Sequence, residues 1–309
     1  MNTYLRFFIT AALSVTMTGH CSDQQKKAAL QPLTLTQSIV VGGVVGAAEV
    51  AFPGQPLSYA MNQAINKQPF VLRNSYKGVK PNALGQMPIT AVQSVVQVKG
   101  TQWAQEVKGS ELSNWQKAGV SYAAGVGGAL IDTPSNAMQL YLQSQANAGK
   151  STAQAMRSLG RNCFRGLAPN ALAKEGPFAV GYQFLAPQAQ DVAKQYVGDN
   201  LMASALGGAA AGVVTAVVTQ PGAVVRNRMQ GEAVAVASRL EGSMVPEMKY
   251  KTAWQAARKI CNEEGAKGLF KGLMARGTRV AIAVPLYVAY TQALKNQIQE
   301  GDSNHRYKE

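Results

Sequence analysis

The stretch FKGLMARGT (270–278) has two near-copies earlier in the chain, YKGVKPNAL (76–84) and FRGLAPNAL (164–172). Each sets an aromatic, a basic residue and a glycine in that order and then opens into apolar residues. Their glycines, Gly78, Gly166 and Gly272, lie 88 and 106 residues apart. Upstream of each stands a proline: Pro53 in EVAFPGQPLSYAMNQ, Pro134 in LIDTPSNAMQLYLQ and Pro221 in VVTQPGAVVRNRMQ, 81 and 87 residues apart. Two landmarks that keep their order three times mark an internal repeat.

Each repeat reads as two helices. Small residues precede each proline, with Gly42/Gly46 and Gly208/Gly212 at a spacing that lets a neighbouring helix approach closely. Proline removes one backbone hydrogen bond and kinks the helix. The second helices are expected over Asn82–Val98, Asn170–Val192 and Leu273–Gln297. Between the partners of the third repeat, 249–268 patterns as an amphipathic surface helix with Trp254, Ala257, Ile260 and Cys261 on one face.

The run 201–220 carries no charge and is long enough to cross a bilayer core of about 30 Å. The mean hydropathy of the chain is near zero, which fits helices apolar on one side and polar toward a cavity. These readings give an all-α membrane protein of six transmembrane helices in three tandem two-helix repeats. The segments are 1–33, a leader; 34–105, 106–196 and 197–298, the repeats; and 299–309, a polar tail. The start, MNTYLRFFITAALSVTMTGHCS, reads either as a secretory signal, with Arg6 before a short apolar run, or as a disordered leader. His20 and Thr18 spoil it as a lipoprotein site.

The formal charge is +14 over 309 residues. That balance suits anionic lipid or an anionic solute. Nucleic acid is not expected, because aromatics are few and no zinc or RNA-binding signature is present. Cys21, Cys163 and Cys261 form neither a disulfide framework nor a metal spacing. His20 and His305 leave no histidine for a catalytic dyad in the body of the chain. No nucleotide-binding loop, nucleophile elbow or metalloprotease motif occurs. No enzyme, metal or cofactor is therefore expected.

The residues of the third repeat resemble the mitochondrial carrier family. That family's pattern is a proline, an acid at +2, bases at +5 and +7 and glutamine at +9, then an acid–glycine pair and an aromatic–basic–glycine triplet. Pro221, Arg226, Arg228, Gln230, Glu264, Gly265, Phe270, Lys271 and Gly272 fit it. The resemblance covers about residues 34–298 and is weaker in the first two repeats. It implies a six-helix, threefold pseudosymmetric transporter, acting as a monomer, that alternates between two open states in the mitochondrial inner membrane. The signal-like start suits a bacterial member, of the kind a pathogen secretes into host mitochondria.

The departures concern the gates. At +2 stand Gln55, Asn136 and Ala223; at +5, Ser58, Gln139 and Arg226; at +9, Asn62, Gln143 and Gln230. Most ionic latches are thus replaced by neutral amides. The opposite gate, at Val98, Ala186, Gln292 and Lys295, is nearly uncharged. Neutral latches hold less strongly, so a flatter landscape or net transport is expected. The proline-to-glycine spans of 25 and 32 residues, against 51 in the third repeat, predict shortened surface helices.

The triplets Tyr76–Lys77–Gly78, Phe164–Arg165–Gly166 and Phe270–Lys271–Gly272 place a base and open backbone N–H groups at helix starts, which suits a phospholipid headgroup. The family implies cardiolipin. The plainer reading is an interfacial anchor followed by a tight turn. Seven positions beyond each glycine lie Gly85, Ala173 with Lys174, and Arg279, with Arg276 one turn before Arg279. The resemblance makes these heights the substrate contacts. Lys174 and Arg279 would clamp an anion, and Gly85 and Ala173 would leave room for a nucleobase. ATP or ADP is the expected substrate; phosphate, a di- or tricarboxylate, or a transport-inactive scaffold are the alternatives.

Overall fold

The computed structural model describes residues 35–147, 149–198, 201–238 and 248–282. The leader, the tail, Gln292 and Lys295 lie outside the described residues, as does the end expected for the last helix.

All regular structure described is helical. A first helical run joins α1 (Leu35–Glu49) to α2 (Gln55–Asn66) through a π turn at Val50–Gly54. It ends where Lys67 turns left-handed at φ 55°. Then come α3 (Val79–Lys108), α4 (Asn114–Gln143) and the short α5 (Thr152–Leu159). The next run chains α6 (Leu167–Asn170), α7 (Gly176–Val180) and α8 (Ala186–Val197) through π turns at Ala171–Glu175 and Gly181–Leu185. It is followed by α9 (Leu201–Ala237), α10 (Ala253–Glu264) and α11 (273–282). Serine or threonine caps start α4, α5 and α10: Ser113, Ser151 and Thr252 each accept from the backbone N–H three residues on.

The shortened connectors are as expected. α5 has eight residues, and 67–78 holds only the 3₁₀ turn Leu72–Asn74. α10 departs from its expected face. Ala256 and Ile260 are its buried residues, packed with Met61, Ile65, Val224, Val225 and Met229, whereas Trp254 is exposed. The stripe that docks starts two residues later than the aromatic, which leaves Trp254 outside.

One hydrogen bond recurs three times and sets the architecture. The side chain before a proline accepts from the side chain four residues after a triplet glycine. Gln55 accepts from Asn82 at 3.1 Å, Thr133 from Asn170 at 2.8 Å and Gln220 from Arg276 at 3.2 Å. The proline that follows Gln55 is Pro56, not Pro53. The register anchored on Pro53 therefore shifts by three in the first helical run, because Pro53 is taken up by the π turn and Pro56 opens α2. Pro134 and Pro221 sit inside α4 and α9 as expected.

The triplet glycines are alike as well. Gly78, Gly166 and Gly272 have φ of 78°, 80° and 77°, a region open to glycine and costly for other residues. Each rests against a different pre-gate helix: a Cβ on Gly78 would meet the Gln139 backbone at 3.0 Å, on Gly166 Arg226 at 3.2 Å and on Gly272 Met61 at 3.0 Å. The helices thus close a ring.

The packing is inverted relative to a water-soluble core. Gln55, Thr133, Gln139, Gln143, Thr219, Gln220, Arg226, Asn227 and Gln230 are buried, while Val40, Leu84, Val95, Leu130, Leu172, Val214 and Val218 are exposed. Among the described residues, only the Met202–Ala237 helix is both long and apolar enough by itself to cross a membrane. In α4 the buried Ser121, Asp132, Thr133, Ser135, Gln139 and Gln143 lower the average.

Gly166→Ala should lower stability in detergent by about 1–3 kcal/mol, from backbone strain alone. Gly119→Ala, in a helix with open space around it, should be neutral or stabilising by up to about 1 kcal/mol. Thermal unfolding of the two variants, read side by side, checks this.

Candidate functional site

The buried charges meet where α4, the Ala171–Glu175 turn, α9 and α11 converge. Asp132 is the hub. It lies two residues before Pro134 and accepts from Lys174 Nζ at 3.0 Å, Arg226 Nη1 at 3.2 Å, Asn170 Nδ2 at 3.0 Å and Asn136 Nδ2 at 2.6 Å. Lys174 also pairs with Glu175. Arg226, 1% exposed, donates to Asn170 Oδ1 at 3.2 Å and to Asn227 Oδ1 at 2.8 Å. Arg279 forks onto Glu49 with bonds of 2.9 and 2.8 Å and reaches Ser58 Oγ at 2.8 Å. Arg276 donates to Gln220 and, at 2.6 Å, to Thr219 Oγ1.

Four cations thus face three carboxylates in a region largely shut off from solvent. Guanidinium and ammonium groups at this depth are costly unless paired. Of the pairing carboxylates, Glu175 is legible as the neighbour of Lys174, whereas Asp132 and Glu49 were missed from the sequence. Asp132 stands one turn before Asn136, the position where the family pattern wants an acid, and so faces the same way. An acid is therefore present on that face, one turn from the expected position.

Toward the triplet end the gate candidates form a bonded layer. Gln139 donates to Gln55 at 3.1 Å, Asn62 to Gln143 at 3.0 Å, Asn227 to Asn62 at 3.1 Å and Gln230 to the Thr133 carbonyl at 3.0 Å. Gln55 and Gln220 also cap the carbonyls of Lys77 and Lys271. Gln55, Ser58, Asn62, Gln139, Gln143, Arg226 and Gln230 are therefore brought together, while Asn136 bonds within its own helix. Ala223 is buried beside them. At the far end Val98 is exposed and Ala186 buried. Just beyond the layer lies a cavity of about 470 Å³ lined by Gln63, Asn66, Ser144, Arg228, Glu232 and Tyr250 among others.

Gly85 and Ala173 have a packing use. A Cβ on Gly85 would meet Ser135 Oγ at 2.8 Å, and one on Gly222 would meet the Ala173 backbone at 2.6 Å. Both small residues sit where a helix of one pair crosses the next, each beside the residue after a proline. The triplet bases differ from one another. Arg165 is held by Glu232 at 2.9 Å, by the Tyr250 carbonyl and by Met248. Lys271 pairs with Glu264 at 2.6 Å. Lys77 has no ion-pair partner among the described residues. Tyr76, Phe164 and Phe270 are exposed.

Residues 198–302 match the family model for mitochondrial carrier proteins. That match takes in about a third of the chain, which is there similar to mitochondrial carrier proteins. Two Arabidopsis thaliana relatives are similar to it: a mitochondrial nicotinamide adenine dinucleotide transporter 2, 33% identical over 135 residues, and a chloroplastic nicotinamide adenine dinucleotide transporter 1, 32% identical over 134. Each alignment takes in 41% of this chain and spans 33% and 39% of those relatives. The third of the chain that the family model matches carries Arg226, Arg276 and Arg279.

Glu264 ties three elements outside the buried cluster: Lys67 after α2 at 2.6 Å, Arg228 of α9 at 2.8 Å and Lys271 at 2.6 Å. Burial alone would raise its carboxyl. Hydrogen bonds from Lys271 and Lys67 and the charge of Arg228 outweigh that and hold it at about 2, against an ordinary 4.5. A depressed value means that this carboxylate stabilises the fold in full above pH 4.5 and loses its contribution as pH falls toward 2. Glu264→Gln should flatten the melting temperature over that acid window and lower it at neutral pH; a pH series of thermal scans reads both.

Asp132→Asn should cost about 3–5 kcal/mol, because it strands Arg226 and leaves Lys174 to Glu175 alone. Combining it with Arg226→Gln should be less than additive by roughly 0.5–3 kcal/mol. A double-mutant cycle by denaturant or thermal unfolding measures the coupling, and strict additivity would show that the pair is not one unit.

Proposed function

We propose that the chain is a membrane carrier of six spans in three two-helix repeats that moves an anionic nucleotide-class metabolite across a mitochondrial membrane by alternating access. The observation that carries this is the buried cluster of Lys174, Arg226, Arg276 and Arg279, set among outward-facing apolar residues and closed on one side by the amide layer. Ionisable groups held this way at bilayer depth line a solute path far more readily than they stabilise a fold.

Exposed aromatics support the membrane setting. Trp103, Trp115 and Tyr196 stand at one end of the long helices, and Tyr76, Phe164, Phe270 and Trp254 at the other. Two such bands suit the two interfaces of a bilayer. The helix starts after Gly78 and Gly166 have no side-chain cap, and a lipid phosphate, cardiolipin above all, is the ligand that suits such ends. Lys77 is the base best placed to assist, and Arg165 the least.

The substrate contacts are Lys174, Arg276 and Arg279, now with their carboxylate partners Asp132, Glu175 and Glu49. The cations exceed the carboxylates by only one. A dinucleotide, whose two diester phosphates are partly offset by its nicotinamide cation, suits that small excess better than ATP does. The names of the relatives point the same way. ATP and ADP stand second in the nucleotide class.

The test is uptake of labelled NAD and ATP by proteoliposomes. Wild type should take up NAD, and Arg279→Ala should weaken apparent affinity by roughly ten- to a hundredfold, the loss of one charge-assisted contact. Arg228→Ala, bonded to Glu264 beyond the gate, should do less. Uptake of phosphate or malate without any nucleotide would overturn the substrate class. No uptake of any anion by folded protein would leave a carrier-fold scaffold.

A further inference from the structure

Glu175 depends on a single cation that it shares with another carboxylate of the cluster. It closes the π turn Ala171–Glu175, and π turns of this kind gather at working sites. Its side chain is 9% exposed. Its carbonyl is pressed against Gly125 of α4, where a Cβ would lie 2.1 Å from the oxygen, so the turn cannot slide to re-aim it. The carboxylate has one hydrogen-bond partner among the described residues, the ammonium of Lys174.

That ammonium is shared, since it also donates to Asp132 at 3.0 Å. The two acids are not equal in what they lose if it leaves. Asp132 keeps Arg226, Asn170 and Asn136. Glu175 keeps nothing. The other groups around it cannot step in. On α4, Tyr122 gives its hydroxyl to the Leu172 carbonyl. On α9, Arg226 is spent on Asp132, Asn170 and Asn227. On α11, Arg276 is tied to Gln220 and Thr219, and Arg279 to Glu49 and Ser58. These cations reach Glu175 only through space.

We propose that Glu175 couples the carrier to protons: a substrate anion that takes Lys174 releases the Glu175 carboxylate, which then binds one proton that crosses with the anion. The inference rests on the transport reading above and names the co-transported ion. A bare carboxylate at this depth lacks both solvent and partner, and the neutral acid removes the charge. The cycle balances. On binding, an O–H bond forms between Glu175 and a proton from water as Lys174 turns to the anion. On release at the other face, Lys174 returns, the O–H bond breaks and the proton leaves to water with the anion. Each turnover moves one anion and one proton in the same direction.

The experiment uses full-length protein in detergent with NAD, ATP and inorganic phosphate as probes. Binding heats in two buffers of different ionisation enthalpy at one pH give the protons taken up per ligand. Wild type should take up about one proton, the value expected from full linkage to one group. Glu175→Gln should take up close to none, whatever its affinity, and Glu175→Asp, which keeps the acid, should restore it. Circular dichroism and melting establish that each variant is folded. In proteoliposomes, acid outside should speed wild-type uptake several-fold and leave Glu175→Gln unmoved. Ligand binding without proton uptake by wild type, or with the same uptake by Glu175→Gln, overturns the coupling and leaves the carrier. No binding and no uptake of any probe overturns both.

Discussion

The bonds made by Asp132 hold the rest in place. One carboxylate takes hydrogen bonds from α4 itself, from the run that begins at α6, and from α9. Among the described residues it is the only acid within bonding distance of Arg226, which is itself fully enclosed. Removing Asp132 would strand Arg226 where water is scarce and leave Lys174 to Glu175 alone, and the low local dielectric that strengthens ion pairing would then penalise the isolated guanidinium. The crossing of α4 and α9, and with it one side of the closed layer, depends on that single residue.

The rest of the layer is weaker by construction. Gln55, Asn62, Gln139 and Gln143 meet as neutral amides, and Gln143 Nε2 and Gln230 Oε1 have no protein partner among the described residues. A neutral amide bond contributes on the order of 1 kcal/mol net and is readily exchanged for water. The layer therefore joins a firm ionic corner, between α4 and α9, to a loose amide seam along α2. A protein that must open at this end gains from a seam that costs little to separate and a corner that keeps its register. The outer tie at Glu264 links α2, α9 and the third triplet through Lys67, Arg228 and Lys271.

Much of this was legible in the residues. The triplets declared themselves because the glycines need a left-handed backbone, and no other residue writes that so plainly. Gln139, Gln143 and Gln230 of the bonded layer stand at positions counted from the prolines. The count failed once, in FPGQP, where two prolines compete and a π turn consumes the first. Polarity before the proline, in Gln55, Thr133 and Gln220, was the signal that would have chosen Pro56. Asp132 and Glu49 stayed hidden because a carboxylate displaced by a turn leaves the pattern while keeping its face. Gly85 and Ala173 were legible as small but not as crossing points, since smallness serves a ligand and a neighbouring helix equally well. The outward face of Trp254 depended on which side α10 docks, and that is decided by Met61 and Ile65, almost two hundred residues away.

The account stands on one claim, that the bonded layer at the triplet end is a gate. The direct measurement is a distance across it in lipid. Spin labels on a cysteine-free chain at Gln68→Cys and Ala146→Cys, both exposed at that end, would be read by double electron–electron resonance with and without NAD. The account predicts two distance populations, one matching the closed layer and one longer, with nucleotide changing their ratio. A single narrow distance that ignores every anion tried would contradict it.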